Sequence, residues 1–313
     1  MSIIRLKSKL KHGFINCHAH IDRYGTAHYF SAEEKSAHLF EKWKIVNKIK
    51  RQSSEEDYYY RILRGCLSQR DFGVTKLISF IDLDETVDTR AVDAALRVKK
   101  EMKPQGLDLI IGNQTVGGFT PANLKLFEDN IDKLDFIGGL PKADEDSNRH
   151  LNILFNAALS TGKKVHVHVD QMNTDEELET LILANKTIKA GLEGKVVAVH
   201  AISIACHEKP IRDMIYQKSK EAGLQFVSCP SAWIDHKRSE RQSPTHNSIT
   251  PIDEMLEWGL CVGLGTDNIE DVYKPYCDGD PMFELRLALE CCKVYDDSTL
   301  VDLACNNGLK IIG

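Results

Sequence analysis

No window of the 313 residues approaches the roughly 18 consecutive apolar residues of a membrane span. The opening MSIIRLKSKLKHG interrupts its apolar residues with lysines, so it lacks the continuous apolar stretch of a secretory signal. Basic excess is also missing. The formal net charge is −6, which offers no cationic field to a phosphate backbone or an acidic membrane surface, so neither nucleic acid nor membrane is expected as a partner. The nine cysteines contain no CxxC pair and are scattered as reduced thiols would be, not as a disulfide framework. Low-complexity tracts and Pro/Gly/Ser-rich linkers are absent too. These absences point to a cytoplasmic protein built as one domain over residues 1–313.

What is present is ordinary for a globular chain: 42% hydrophobic and 27% charged residues, at a length that suits two average domains or one large α/β barrel. Eight short, β-branched apolar runs recur, at 13–17, 75–81, 107–112, 134–140, 164–169, 196–200, 224–229 and 260–265. Amphipathic stretches lie between them at 87–102, 147–162, 174–191, 209–223 and 251–259. Strands apolar on both faces and alternating with helices imply a parallel sheet, and eight such units fit a (β/α)8 TIM barrel better than an open doubly wound sheet. The connection 22–70 is unusually long and charged. Its SAEE at 31–34 has capping-box form and predicts an extra helix.

In such a barrel the catalytic side chains sit at the C-terminal ends of the strands. His18 and His20 close the first run, His166 and His168 lie in the fifth, His200 ends the sixth, and Asp267 follows the eighth in GLGTDN. Positions two apart on a strand face the same side, so HxH can present two imidazoles to one ion. Several imidazoles with one carboxylate suit a single Zn2+ or Fe2+ and serve Mg2+ or Ca2+ poorly. A lone strand histidine is ordinarily a satisfied core residue. Five of the 12 histidines at the ends of three strands, where polar groups are costly, form a set. His12, His28, His38, His150, His207, His236 and His246 fall in loops or beside helices and are expected to be solvated.

FINCHAHIDR, VHVHVDQMN, AVHAIS and GLGTDNIEDVYKPY, taken together, resemble the amidohydrolase superfamily, and within it the cytosine-deaminase-like branch that also holds N-isopropylammelide amidohydrolase. The similarity runs through nearly the whole chain. It implies that His18, His20, His168 and Asp267 hold the metal ion, with His166 as the alternative ligand from the fifth strand. It implies that His200 orients the attacking water or the developing oxyanion, and that Asp267 also shuttles the proton. Gln114 then binds the substrate ring, with Asn268 and Tyr273 in the pocket.

Two departures limit the carry-over. Gln171 stands where the deaminases carry a proton-delivering glutamate, and a neutral amide has no titratable proton near pH 7. Asn268 replaces a further aspartate. Asp170 is expected to point away from the site, and Asp175, Glu176 and Glu177 to begin the following helix. Lys142, near the place of the carbamylated lysine of binuclear members, reads as a solvated loop residue. The small β-sandwich typical of the superfamily has no counterpart here, which leaves barrel surface that a second copy would cover in a homo-oligomer. The polar stretch 230–251 reads as a lid or substrate wall from which Trp233 stacks on a planar ring. The tyrosines of 57–61 read as helix packing or an oligomer contact, and Cys17 as an inert core thiol.

The expected activity is hydrolysis of a C–N bond in a small heterocyclic substrate by metal-activated water. The alternatives are deamination with release of ammonia, or a metal-binding barrel without turnover.

Overall fold

The computed structural model describes residues 8–234 and 247–313, the side chains of Trp233 and Ile234 excepted. Eight strands run parallel: β1 (Phe14–Ala19), β2 (Val74–Asp82), β3 (Asp108–Gln114), β4 (Ile137–Gly139), β5 (Val165–Val169), β6 (Val196–His200), β7 (Gln225–Ser228) and β8 (Cys261–Leu264). Each overlaps one of the apolar runs. β1, β5 and β6 are buried at every residue, as strands covered on one face by helices and on the other by the barrel interior must be.

The continuous ladders form a three-stranded sheet, β1-β2-β3, and a five-stranded sheet, β4 to β8. Isolated parallel bridges join them at both seams, Gly112 to Phe136 and Ala19 to Asp267. The barrel thus closes through side chains as much as through ladders. At the β3–β4 seam the buried amide of Asn113 accepts from the Gly138 N–H and donates to the Gly138 carbonyl, both at 2.9 Å. At the β8–β1 seam the amide of Asn16 donates to Thr266 Oγ1 at 2.8 Å and accepts from the Thr266 N–H at 3.2 Å. Close approach sets the residue type beside each amide. A Cβ on Gly138 would meet the Asn113 carbonyl oxygen at 1.9 Å, and one on Gly265 would meet the His18 backbone N and O at 2.9 Å.

The outer helices follow the amphipathic stretches: Arg90–Met102, Ser147–Thr161, Glu179–Ala190, Lys209–Glu221 and Ile252–Glu257. Pro121–Asn130 and Pro281–Cys292 are two that the sequence reading did not assign. The long first connection holds four helices, Ala32–Lys35, Leu39–Ile45, Asn47–Gln52 and Glu55–Asp71. Ser31 and Glu34 form the expected capping box, and Ser54 with Asp57 forms another. Tyr58 is buried on the inner face of the last of these helices and Tyr59 donates to Glu101 and lies under Arg97, so these two pack helix on helix, while Tyr60 is exposed. Phe30, Leu39, Val46 and Ile49 pack with Val272 and Tyr273 in a small apolar cluster apart from the main core, a roof over the C-terminal mouth of the barrel. Cys17 is fully buried, and burial pushes its thiol far up, out of the reactive range. No helix among the described residues is long and apolar enough to cross a membrane.

Replacing Asn113 with Leu would orphan a buried N–H and a buried carbonyl at the seam. The expected loss is about 1–3 kcal/mol of unfolding free energy, read as a lower midpoint in urea.

Candidate active site

The strands that end in polar residues all end at one mouth. His18 and His20 project from the end of β1, His168 from β5, His200 from the end of β6, and Asp267 lies just beyond β8. All are at most 4% exposed. His18 Nε2 lies 3.2 Å and His20 Nε2 3.3 Å from Asp267 Oδ1. The His18 ring is 4.9 Å from those of His20 and His168 and 5.3 Å from that of His200, centroid to centroid. Two overlapping trios, His18–His168–His200 and His18–His20–Asp267, each keep their candidate ligand atoms within 4.8 Å of one another.

Backbone conformation holds this set. His200, Ala201 and Asp267 have φ of +75°, +51° and +58°, as does Asp170 at +51°. Left-handed backbone at residues with a Cβ costs on the order of 1–3 kcal/mol each and persists where the surroundings over-determine it. Here the surroundings are bonds to a neighbouring strand and a neighbouring loop. The Asp267 N–H donates to the His18 carbonyl at 2.9 Å, and the His200 carbonyl accepts from Thr250 Oγ1 at 2.6 Å.

The donor set fits a divalent ion of borderline softness. His168 Nδ1 donates to the Gly139 carbonyl at 2.9 Å, which fixes its tautomer and leaves Nε2 as a bare acceptor. That Nε2, His200 Nδ1 and Asp267 Oδ2 are buried with no hydrogen-bond partner among the described residues. Burial lowers the imidazoles, His18 to about 4, His200 to about 3 and His168 well below its ordinary value, so all three are neutral at pH 7 and able to ligate. Asp267 goes the other way. Burial opposes its ionisation, but His18 and His20 beside it hold the carboxyl well below the usual range. Nitrogen ligands with one carboxylate match Zn2+ or Fe2+.

His166, the other histidine of β5, belongs to a different layer. Phe80 stacks edge-on to His18 and His168 at 4.9 and 4.6 Å, and His166 lies beyond it against Phe136 at 4.4 Å, at the N-terminal end of the barrel.

Over the cluster opens a small, partly open pocket. Gln114, Gln171, Asn268 and Tyr273 line it with the histidines and Asp267. Gln114 Oε1, Gln171 Nε2 and Asn268 Oδ1 are buried without partners among the described residues. Trp233 lies in the turn Pro230–Ile234, but its side chain and most of the stretch expected as a lid fall outside the described residues.

The remaining wall was not legible as such in the sequence: Arg23, Leu39, Trp43 and Leu140. Asp22 and Arg23, which begin the long first connection, are buried. Arg23 grips Asp82 through Nη2 at 2.7 Å and Nε at 3.2 Å, and Lys50 joins Asp82 to Asp84 at 3.1 and 2.8 Å. Burial and then Asp82 push Asp22 up to about 7. The only signal was the HAHIDR run itself, where an arginine follows an apolar strand too closely to reach solvent.

Other expectations need correction. The helix after β5 begins at Glu179, not at 174, because Asp170 accepts the N–H groups of Glu179 and Thr180 at 2.7 and 3.0 Å. Glu177 is buried and accepts from the Met172 N–H and Ser203 Oγ, which anchors the turn that carries Gln171. Lys142 is half-buried and not a free loop charge. It pairs with Glu177 at 3.0 Å and Glu179 at 3.4 Å, away from the histidine cluster. His150 and His207 are buried as well, His150 accepting from the Leu140 N–H and His207 donating to the Glu177 carbonyl. The partner of His207 comes from 30 residues away, and that of His150 from the turn before its own helix.

No family model matches the chain. A protein of Haemophilus influenzae described only as uncharacterized is 41% identical over 256 residues, 79% of this chain and 91% of that one. N-isopropylammelide isopropyl amidohydrolase of Pseudomonas sp. strain ADP is 24% identical over 275 residues, 86% of this chain, which spans 65% of that enzyme's length. Among solved structures, 5-methylcytosine deaminase from Klebsiella pneumoniae with 5-fluorocytosine superposes with a TM-score of 0.86 at 22% identity, covering 96% of this chain and 74% of that one. At that identity the superposition speaks for the fold.

Glu179 yields a pH prediction. Burial, then Glu177, raises it from an ordinary 4.5 to about 7 in the folded state. The folded protein therefore holds that proton more tightly, and the stability this lends below pH 4.5 is lost as pH rises through about 7. Glu179→Gln, which keeps the acceptor for the Asp170 N–H, should gain on the order of 1 kcal/mol over wild type at pH 8 and little at pH 4.5. Urea unfolding at the two pH values checks it.

Proposed function

We propose that the chain is a member of the amidohydrolase superfamily and that it hydrolyses a C–N bond in a small cyclic or heteroaromatic substrate with the aid of one divalent metal ion, a reading supported by its likeness to N-isopropylammelide isopropyl amidohydrolase and by the shared fold. The observation that carries this reading is the convergence of four neutral imidazoles and one ionised carboxylate, with buried atoms left unpartnered, at the floor of a small pocket.

In this reading His18, His20, His168 and Asp267 hold the ion, Zn2+ or Fe2+. Bound there, the ion supplies Lewis-acid polarisation and a water ionisable near neutral pH. The chain's own residues do the rest. Asp267 Oδ2 takes the water's proton and returns it to the departing nitrogen. His200 points its ring at the oxygen that becomes anionic on the substrate carbon. Gln114, Gln171 and Asn268 hold the ring: an amide offers a donor and an acceptor together, which matches a lactam or amidine edge. Leu39, Trp43 and Leu140 keep bulk water off the reacting carbon.

Gln171 favours loss of a group that departs without protonation of the ring by a neighbouring acid, and so an amidohydrolase over a cytosine-type deaminase. A screen over pyrimidines, triazines, lactams and hydantoins that separates ammonia from amine or ring-opened products decides between them. Protein that binds no stoichiometric metal and turns over no ring would leave only the non-catalytic barrel.

Two variants sharpen the reading. Asp267→Ala should remove the ion, measured as metal per chain, and lower kcat by about 10²–10⁴-fold or more. Gln171→Glu should add ammonia release from aminated rings, as a new product in the same assay, without loss of metal.

A further inference from the structure

One fully buried lysine stands beside the site without touching the pocket. Lys274 is 1% exposed and follows the last of the proposed metal ligands by seven residues. Its ammonium donates to the Thr266 carbonyl and, at 3.0 Å, to Ser231 Oγ. Ser231 in turn donates its hydroxyl to Glu284 Oε1, and its backbone N–H to Glu284 Oε2 at 2.9 Å. The directions are forced. A protonated amine cannot accept, so the serine hydroxyl must accept from Lys274 and give its own proton to Glu284, whose two oxygens both act as acceptors. Ammonium, hydroxyl and carboxylate form a single charged relay from the end of β8, through the segment after β7, to the helix Pro281–Cys292.

The relay terminates on one residue, Thr266, which is already gripped from the other side. Asn16 holds its N–H and its hydroxyl, and Lys274 holds its carbonyl. With every polar group of Thr266 fixed, the next residue, Asp267, is committed to its left-handed φ of +58°. The same ammonium lies close enough to Asp267, His18 and His200 to favour the ionised carboxylate and the neutral imidazoles. A buried ion pair is seldom the most stable filling for a core, since apolar side chains of equal volume often do better, so packing alone does not account for this one.

We propose that Lys274 is a positioning residue for the metal centre: through the Thr266 carbonyl, and backed by Ser231 and Glu284, it fixes the backbone from which Asp267 reaches the ion. The role rests on the metal-dependent reading of the site. A positioning group of this kind changes ligand geometry, so its loss lowers metal affinity about 10–100-fold, as loss of groups that orient metal ligands does elsewhere. It lowers kcat with KM nearly unchanged, because no atom of the relay lines the pocket.

The test measures zinc affinity by chelator competition, with the unfolding midpoint, for wild type, Lys274→Met, Ser231→Ala and Arg212→Met. The last breaks an ion pair to Glu254 between outer helices and serves as a stability control. Zinc binding at least tenfold weaker in Lys274→Met, weakened to a lesser degree in Ser231→Ala, and unchanged in Arg212→Met supports the role. Zinc affinity within twofold of wild type in Lys274→Met, or an equal loss in Arg212→Met, overturns it. If Lys274→Met does not fold, Ser231→Ala decides: unchanged affinity there overturns the role. Wild type that binds zinc alongside a Lys274→Met equal to it defeats the positioning role alone, whereas wild type that binds no zinc defeats the metal-dependent reading beneath it.

Discussion

The contact between His18 and Asp267 is both the seam of the barrel and the floor of the site. Their backbones bond, Asp267 N–H to His18 carbonyl, where β8 meets β1. Their side chains meet at 3.2 Å inside the same closure. Gly265 lies against the His18 backbone because a Cβ there would collide with it. Fold and chemistry therefore share one set of atoms. A mutation that opens the seam disturbs the cluster, and one that removes a ligand from the cluster removes a tie across the seam.

Around that contact the protein pays for order with strain and offsets it with buried hydrogen bonds. The left-handed residues at His200, Ala201 and Asp267 are unfavourable in isolation. Each is held by a partner from a neighbouring strand or loop, and the amides of Asn16 and Asn113 repeat the device at the two places where ladder bonds thin out. The roof made by the first connection completes the pocket. It rests on its own apolar cluster, so the walls over the substrate are built separately from the barrel that carries the histidines.

Much of this was legible in the sequence, for identifiable reasons. Strands buried on both faces must be apolar throughout, so FINC and VVAV announce themselves, and a histidine at the end of such a run has nowhere to go but the mouth. Gln114, Gln171 and Asn268 were placed in the pocket only by the family resemblance, and they do line it. Less legible were the residues whose positions depend on segments far away in the chain. Arg23 is buried because Asp82 of β2 receives it, His207 because Glu177 does, and Trp43 reaches the pocket only because four short helices fold back over the barrel. Lys142 read as a loop charge and Glu177 as the start of a helix, yet the two meet each other. No local pattern encodes such meetings.

The two sides of the His18–Asp267 contact lie 249 residues apart in the chain. A chain emerging from the ribosome makes the two histidines of β1 first and the carboxylate last, with seven βα units between them. Closing so long a loop carries an entropy cost that the contact between its ends must offset. In the metal-dependent reading proposed above, the full ligand set, Asp267 included, is complete only once the last strand has joined the first.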